Sequence, residues 1–259
     1  MIVDTGEAKI FVQELGSGDP LVLVHGLGMS SELWINQTKE FSRRFRIFAL
    51  DLRGFGQSSK PREIGAYAIE ELAKDVASVI EQLEIAPCHF LGTSMGGFVG
   101  QSLALSRPEL CRSLILCHTS PKMSIPEDVL EERVAALKTM SLEEYAGIVV
   151  SQACSSSADA ALKKWLTEMI VKNDKEVYTQ VLTEGLRDFD VRGELGRINA
   201  PTLVITGEHD QVLPSVGGAE IASLIANVEL VEIQGVGHLG YAEKPKEFNQ
   251  AVLSFLSKF

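Results

Sequence analysis

The sequence predicts an α/β fold: a mostly parallel sheet flanked by helices, with an inserted four-helix cap. Three observations carry that prediction. Short apolar runs of strand type alternate with longer stretches whose apolar residues recur at helical spacing. One stretch of about 75 residues breaks the alternation with helical patterns alone, far longer than an ordinary connection. Size is the third: for 259 residues and 28.2 kDa, surface scaling gives about 11,000 Å² exposed when folded against about 41,000 Å² extended. Nearly three quarters of the surface is then buried, so the core needs no metal or disulfide staple.

Lys9–Leu15 alternates as an early hairpin strand ahead of the turn Gly16-Ser-Gly-Asp-Pro20. Leu21–Val24 is short and apolar throughout, as a strand covered on both faces requires. Arg46–Leu50, His89–Leu91, Ser113–Cys117, Thr202–Thr206 and Val228–Ile233 repeat that type. Between them, Ile69–Leu83 places apolar residues at 69, 72, 73, 76, 79, 80 and 83, one face of a helix. Met95–Ser106, Glu220–Ile225 and Lys246–Leu256 read as further helices. Strands joined by helical crossovers pair in parallel.

No strand pattern lies between Pro121 and about Leu195. Four helical patterns do: Pro126–Leu137, Ser141–Gln152, Asp159–Val171 and Lys175–Phe189. Pro126 suits a first helical turn, and Ser141-Leu-Glu-Glu144 reads as a capping box. The expected organisation is therefore a core of residues 1–120 and 196–259 with a helical cap over 121–195.

Composition narrows the function classes. With 24 Lys+Arg against 35 Asp+Glu the chain carries a formal charge of −11. So acidic a body repels phosphate backbones and anionic headgroups, which disfavours nucleic acid and membrane surfaces as partners. A small-molecule substrate fits better, and monomer or homo-oligomer is left open. Cys88, Cys111, Cys117 and Cys154 form no CxxC pair and read as buried, reduced thiols. No run reaches the roughly 18 apolar residues of a membrane span, and the N-terminal residues have no basic leader pattern. A soluble, cytoplasmic protein is expected.

The sharpest motif is Gly92-Thr-Ser94-Met-Gly96, set between the strand at His89–Leu91 and the helix at Met95. A serine at the tip of so sharp a strand-to-helix turn takes a strained backbone, and the residues two before and two after are pressed together. Only small side chains fit there. Such a serine needs a base, and the base needs an orienting acid. Of five histidines, His25 reads as shaping its loop, and His89 and His209 as structural. His118 borders the site region without a further hint. His238 stands in the glycine-flanked loop Gly235-Val-Gly-His238-Leu-Gly240 after the last strand. Asp210 lies in the loop after the penultimate strand. Ser94, Asp210 and His238 thus all leave the C-terminal ends of parallel strands, where open α/β sheets place ligands. The glycine-rich loop His25-Gly-Leu-Gly28 ends the first parallel strand, and the backbone N–H groups of Leu27 and Met95 are the expected oxyanion donors.

Other features have plainer readings. Asp51, Arg53, Gly54 and Gly56 form a structural loop. Gly235-x-Gly-x-x-Gly240 matches a dinucleotide fingerprint but opens no further βαβ unit. No phosphate loop and no metal-ligand spacing appears, so no cofactor and no metal is expected. Trp34, Met123 and Trp165 are candidates for lining a substrate pocket. Met140, Tyr145, Met169 and Tyr178 could line it as well, with cap core the competing reading for all seven. Arg133, Lys138 and Arg187 read first as solvated helix residues.

These motifs, with Asp51-Leu-Arg-Gly-Phe-Gly-Gln-Ser58, Thr206-Gly-Glu-His-Asp210 and Gly237-His238, make the chain resemble the α/β-hydrolase superfamily over nearly its whole length. Its size, helical cap, Asp174-Lys-Glu-Val-Tyr178 and Asp188-Phe-Asp-Val-Arg192 are similar to the 3-oxoadipate enol-lactonase and small carboxylesterase branch. The resemblance implies a Ser94, Asp210, His238 triad in that chain order. It also implies a serine hydrolase that cleaves a small carboxylic ester or lactone through an acyl-enzyme. Two alternatives stand beside it: cofactor-free perhydrolysis, haloperoxidation or carbon–carbon hydrolysis on the same triad, and a slow-turnover ligand receptor that keeps the pocket.

Overall fold

The structure, a computed structural model, describes residues 1–123 and 126–259. Its eight strands are β1 (Ile2–Asp4), β2 (Lys9–Gly16), β3 (Asp19–Val24), β4 (Phe45–Asp51), β5 (Cys88–Thr93), β6 (Cys111–Cys117), β7 (Thr202–Gly207) and β8 (Val228–Ile233). They form one sheet in the order β1-β2-β4-β3-β5-β6-β7-β8. β1 and β2 are antiparallel to their neighbours, and the rest pair in parallel. Two details depart from expectation. The three-residue β1 carries too little pattern to be read. β2 pairs with β1 and β4 and not across the turn with β3, because β3 has both edges filled by β4 and β5.

The helices are α1 (Ile35–Phe41), α2 (Ile69–Gln82), α3 (Met95–Ser106), α4 (Glu127–Thr139), α5 (Leu142–Ala153), α6 (Ala160–Val171), α7 (Lys175–Gln180), α8 (Ser215–Leu224), α9 (Gly240–Glu243) and α10 (Pro245–Leu256). α2 packs on α3, and α1 on α10. The apolar stripe of α2 is buried at Ile69, Leu72, Ala73, Val76, Val79 and Ile80, as its spacing requires. β3, β5 and β6 hold fully buried Leu21–Val24, Phe90, Leu91 and Leu114–Cys117, the centre of a core whose folded surface is 10906 Å². The area matches the scaling expectation for one close-packed body.

Between β6 and β7 run α4 to α7, close to the four expected helices. Ser141 caps α5: its Oγ accepts from the Glu144 N–H, and the Glu144 carboxylate accepts from the Ser141 N–H at 2.8 Å. The fourth pattern is not one α-helix to Phe189. α7 passes into a single π-helical turn over Val181–Gly185, where the Leu186 N–H donates to the Val181 carbonyl at 3.1 Å. Gly185 is a poor helix former, which favours a stop there. α8 starts five residues before its expected beginning at Glu220. Its first turns hold Gly217 and Gly218, where a β-carbon would lie 2.7 Å from Ser120 Cβ and 2.3 Å from Thr206 Cγ2. None of the described helices is long and apolar enough to cross a membrane.

Candidate active site

Ser94 follows β5 and precedes α3, with φ 53° and ψ −117°. That backbone is held from both sides: the Ser94 N–H donates to the Cys117 carbonyl at 2.9 Å, and its carbonyl accepts from the Gly97 N–H at 2.8 Å. The steric demand on the turn is severe. A β-carbon on Gly92 would lie 2.1 Å from the Gly96 carbonyl oxygen, and one on Gly96 would lie 2.3 Å from the Val24 carbonyl oxygen. Real β-carbons do not approach so closely, so both positions require glycine if Ser94 is to sit where it does.

The loop after β3 lies against this turn, with Gly26 beside the Ser94 side chain. His25 orders that loop. Its Nε2 accepts from the Leu52 N–H at 3.0 Å, so the ring proton is on Nδ1, which donates to the Gly26 carbonyl at 2.7 Å. Full burial, which pushes the His25 pKa down, keeps the ring neutral. In a trans peptide the C=O of Gly26 and the N–H of Leu27 point in opposite directions. Fixing one by a buried hydrogen bond therefore aims the other. The expected loop-shaping role of His25 has this specific content.

Asp210 and His238 come together from the loops after β7 and β8. His238 Nδ1 lies 2.8 Å from Asp210 Oδ2, and Oδ1 of the same carboxylate accepts the N–H groups of Val212 and Leu213 at 2.9 Å each. A carboxylate only accepts, so Nδ1 of His238 carries the proton and Nε2 keeps its lone pair. Burial works to raise the Asp210 pKa. The charge of His238 and the contacts of His118 and His238 outweigh it and hold the group well below the usual carboxylate range. The pair is an ionised acid and an oriented imidazole, both nearly excluded from water.

Ser94 and His238 share one cavity of about 100 Å³. Gly26 and Leu27 form one wall, and Phe98, Met123, Tyr145, Val150, Tyr178, Leu182 and Leu186 give it an apolar lining. Arg133 of α4 is the single Lys or Arg in that wall, and among the described residues it forms no ion pair. The three pocket candidates divide. Met123 lines the cavity. Trp34 does not; it is fully buried in the core against Tyr241, ring centroids 5.2 Å apart. Trp165 packs partly buried against the core, away from the lining. Tyr145 and Tyr178, read as possible pocket residues with cap core the stronger alternative, are wall residues, their rings edge to face at 5.8 Å. One-dimensional spacing does not say which face of a cap helix looks down on the sheet.

The sequence reading gave His118 no role, yet it lies beside the pair. Its Nδ1 is 3.4 Å from Asp210 Oδ2, and its ring meets that of His238 edge to face. His118, Asp210 and His238 offer ligand atoms within 4.8 Å of one another, the spacing of a possible metal cluster. Two of the three residues are joined directly by the His238 Nδ1–Asp210 Oδ2 hydrogen bond. The remaining buried groups are structural: Arg53 grips Asp75 through two bonds of 2.5 and 2.7 Å, and Asp51 accepts the N–H groups of Ser31 and Gln57. All four cysteines are free and buried.

Residues 19–147 and 166–245 match the family described as alpha/beta hydrolase fold. A 3-oxoadipate enol-lactonase of Acinetobacter baylyi is 28% identical over 92% of this chain and 89% of its own length. A pimeloyl-[acyl-carrier protein] methyl ester esterase of Aeromonas salmonicida is 29% identical over 96% of this chain and 99% of its own. Among solved structures, the enol-lactonase from Burkholderia xenovorans superposes with a TM-score of 0.92 at 28% identity, covering 99% of this chain and 100% of that one.

Proposed function

We propose, for a chain that belongs to the alpha/beta hydrolase fold family, that it is a serine hydrolase cleaving a small carboxylic ester or lactone. The observation that carries this is the strained Ser94 opening onto the same cavity as His238, whose Nδ1 is tied to Asp210 at 2.8 Å. That arrangement supplies each part of acyl transfer. Ser94 Oγ attacks the substrate carbonyl while His238 Nε2 takes its proton. Asp210, unable to donate, holds the tautomer and stabilises the imidazolium. The Leu27 and Met95 N–H groups receive the oxyanion, each such donor contributing about 3 kcal/mol in the transition state. The imidazolium returns its proton to the leaving oxygen. Water, activated by the same His238, then hydrolyses the Ser94 ester and releases the acid.

The cavity supports the finer reading. Its volume suits a short acyl or lactone group, and its apolar lining desolvates the reacting carbonyl. α4 to α7 would serve as the cap that closes over it. Arg133 brings a positive charge, without an ion pair among the described residues, to the wall, and an acyl part that ends in a carboxylate would meet it. The relative from Acinetobacter baylyi is named as a 3-oxoadipate enol-lactonase, which supports a lactone reading for this chain.

The test is hydrolysis of p-nitrophenyl acetate and of a small enol-lactone by the parent chain and by Ser94→Ala. Turnover by the parent that falls at least about 1000-fold in the variant, with thermal stability nearly unchanged, is the expected result. Retained turnover in Ser94→Ala would remove Ser94 from its role. A stoichiometric burst without steady turnover in the parent would favour the ligand-receptor alternative.

A further inference from the structure

We infer that His118 is a positioning residue: from Nδ1 it directs an N–H at Asp210 Oδ2, so that this oxygen serves two imidazoles and supports the His238 imidazolium less strongly than it would alone. The inference rests on the base role of His238 proposed above.

Three observations carry it. The first is geometry. His118 Nδ1 lies 3.4 Å from the oxygen that accepts from His238 at 2.8 Å, and the two rings stand edge to face with centroids 5.8 Å apart. The second is burial without compensation. His118 is essentially unexposed, and neither ring nitrogen has a full hydrogen bond among the described residues. A wholly buried, unpaired ring N–H loses its bond to water and gains nothing in return. A filler side chain would avoid that cost, whereas a donor aimed at a carboxylate recovers part of it. The third is the backbone. His118 sits at φ 47°, outside the ordinary range for a side-chain-bearing residue. Its N–H donates to the Ile205 carbonyl at 2.8 Å, which ties the turn after β6 to β7. Ser94 and His118, on adjacent strand ends, are both held in this unfavourable region.

The groups facing His118 set its charge. Asp210 comes from the loop after β7; His238, Tyr241 and Glu243 come from the segment after β8; and Cys117 lies next to it on β6. Cys154 at the end of α5 faces Tyr241. Burial first, then the charge of His238, push the His118 pKa down against the pull of Asp210 and Glu243. His118 is therefore a neutral dipole through the working range. A second cation there would oppose the imidazolium that His238 must become. As a neutral donor it draws on the same lone pairs that hold His238, so Asp210 Oδ2 supports the His238 imidazolium less strongly than it would alone. The contact is long in the free protein, and such contacts tighten when charge develops.

The experiment compares the parent, His118→Asn and His118→Leu as full-length chains. The Asn side-chain amide keeps a donor at the position of Nδ1, and Leu keeps volume without one. Two readouts are taken: the acid limb of kcat/KM for p-nitrophenyl acetate, and the pH midpoint of the His238 ring signals by NMR. Removing the donor leaves Asp210 more available to the imidazolium, so in His118→Leu both midpoints move to higher pH by roughly half a unit or more. In His118→Asn they stay near the parent. Coincident midpoints in all three chains, with only thermal stability lowered in Leu, would make His118 a packing residue and overturn the inference. If Leu does not fold, ¹⁵N-histidine spectra of the parent decide: an Nδ1 of His118 that carries a proton supports the inference, and an unprotonated Nδ1 overturns it. The NMR readouts need no turnover, so failure here is separable from failure of the esterase reading.

Discussion

The backbone N–H of His238 donates to the carbonyl of Ala153, the last residue of α5, at 2.7 Å. The loop that presents the proposed base is thus fastened to the helical segment above it and not only to the sheet below. Glu243 reinforces the joint. Its two carboxylate oxygens accept the N–H groups of Gly237 and Ser155 at 2.9 Å each, one on the base loop and one just past α5.

Glu243→Ala leaves both of those N–H groups without their acceptor. A charge-assisted bond of this kind is worth about 1.5–3 kcal/mol. The expected result is a stability loss of about 2 kcal/mol by urea unfolding. kcat for p-nitrophenyl acetate should fall several-fold while KM changes little, because base geometry loosens more than the pocket does. Unchanged kinetics would mean that the His238–Ala153 bond holds the loop unaided.

Gly92→Ala is expected to be worse than its size suggests. Its β-carbon meets carbonyl backbone at 2.1 Å, which no rotamer change relieves. Overpacking against backbone costs about 2 kcal/mol or more, and the Ser94 turn must open to accommodate it. Urea unfolding and ester turnover should fall together. Ser94→Gly is the counter-case: glycine accepts φ 53° without strain, so this inactive variant should gain up to about 1 kcal/mol in stability.

Buried histidines give the stability a defined pH dependence. Burial, then the charge of Arg112, pull the His89 pKa down to about 4, and burial likewise pulls His25 and His118 down. Below the unfolded value near 6.5 the unfolded chain takes up protons that the folded chain refuses, so acidification favours unfolding. Stability is therefore complete above about pH 7 and declines as pH falls from the unfolded value toward the folded one. For His89 the loss between pH 7 and pH 5 should be roughly 2 kcal/mol. His89 lies away from the cavity, bonded to Ser113 Oγ at 2.7 Å. His89→Gln should then flatten the slope of unfolding free energy between pH 7 and 5 without changing kcat. A slope equal to the parent's would show that His89 takes up its proton in the folded state.

Arg133→Gln tests the charge in the cavity wall. Against a neutral ester kcat/KM should change less than about two-fold, and against an ester whose acyl chain ends in a carboxylate it should fall roughly 10-fold, the loss of about 1.4 kcal/mol. Equal losses on both substrates would make Arg133 a structural residue of α4.

Much of the site was legible because its constraints are local. Gly92 and Gly96 announce a turn in which a side chain has no room, and the apolar runs on either side set the strand and helix that make it. The loops bearing Asp210 and His238 follow strands whose composition is unmistakable. Trp34 and Trp165 misled because aromatic character marks core and pocket alike. Tyr145, Tyr178 and Arg133 depend on how α4 to α7 are turned toward the sheet, which spacing along a helix leaves free.

Chain order, strand and helix succession and the identity of a serine forced into a strained turn were determined by the sequence itself, since each rests on contacts between residues near one another in the chain. Only the tertiary structure decided that His118 lies beside the oxygen of Asp210 that holds His238, that Ala153 anchors the base loop, and which side chains wall the cavity. Those relationships join segments tens of residues apart. They are set by how β6, β7 and β8 align in the sheet and how the helices pack above it, and no local pattern encodes that alignment.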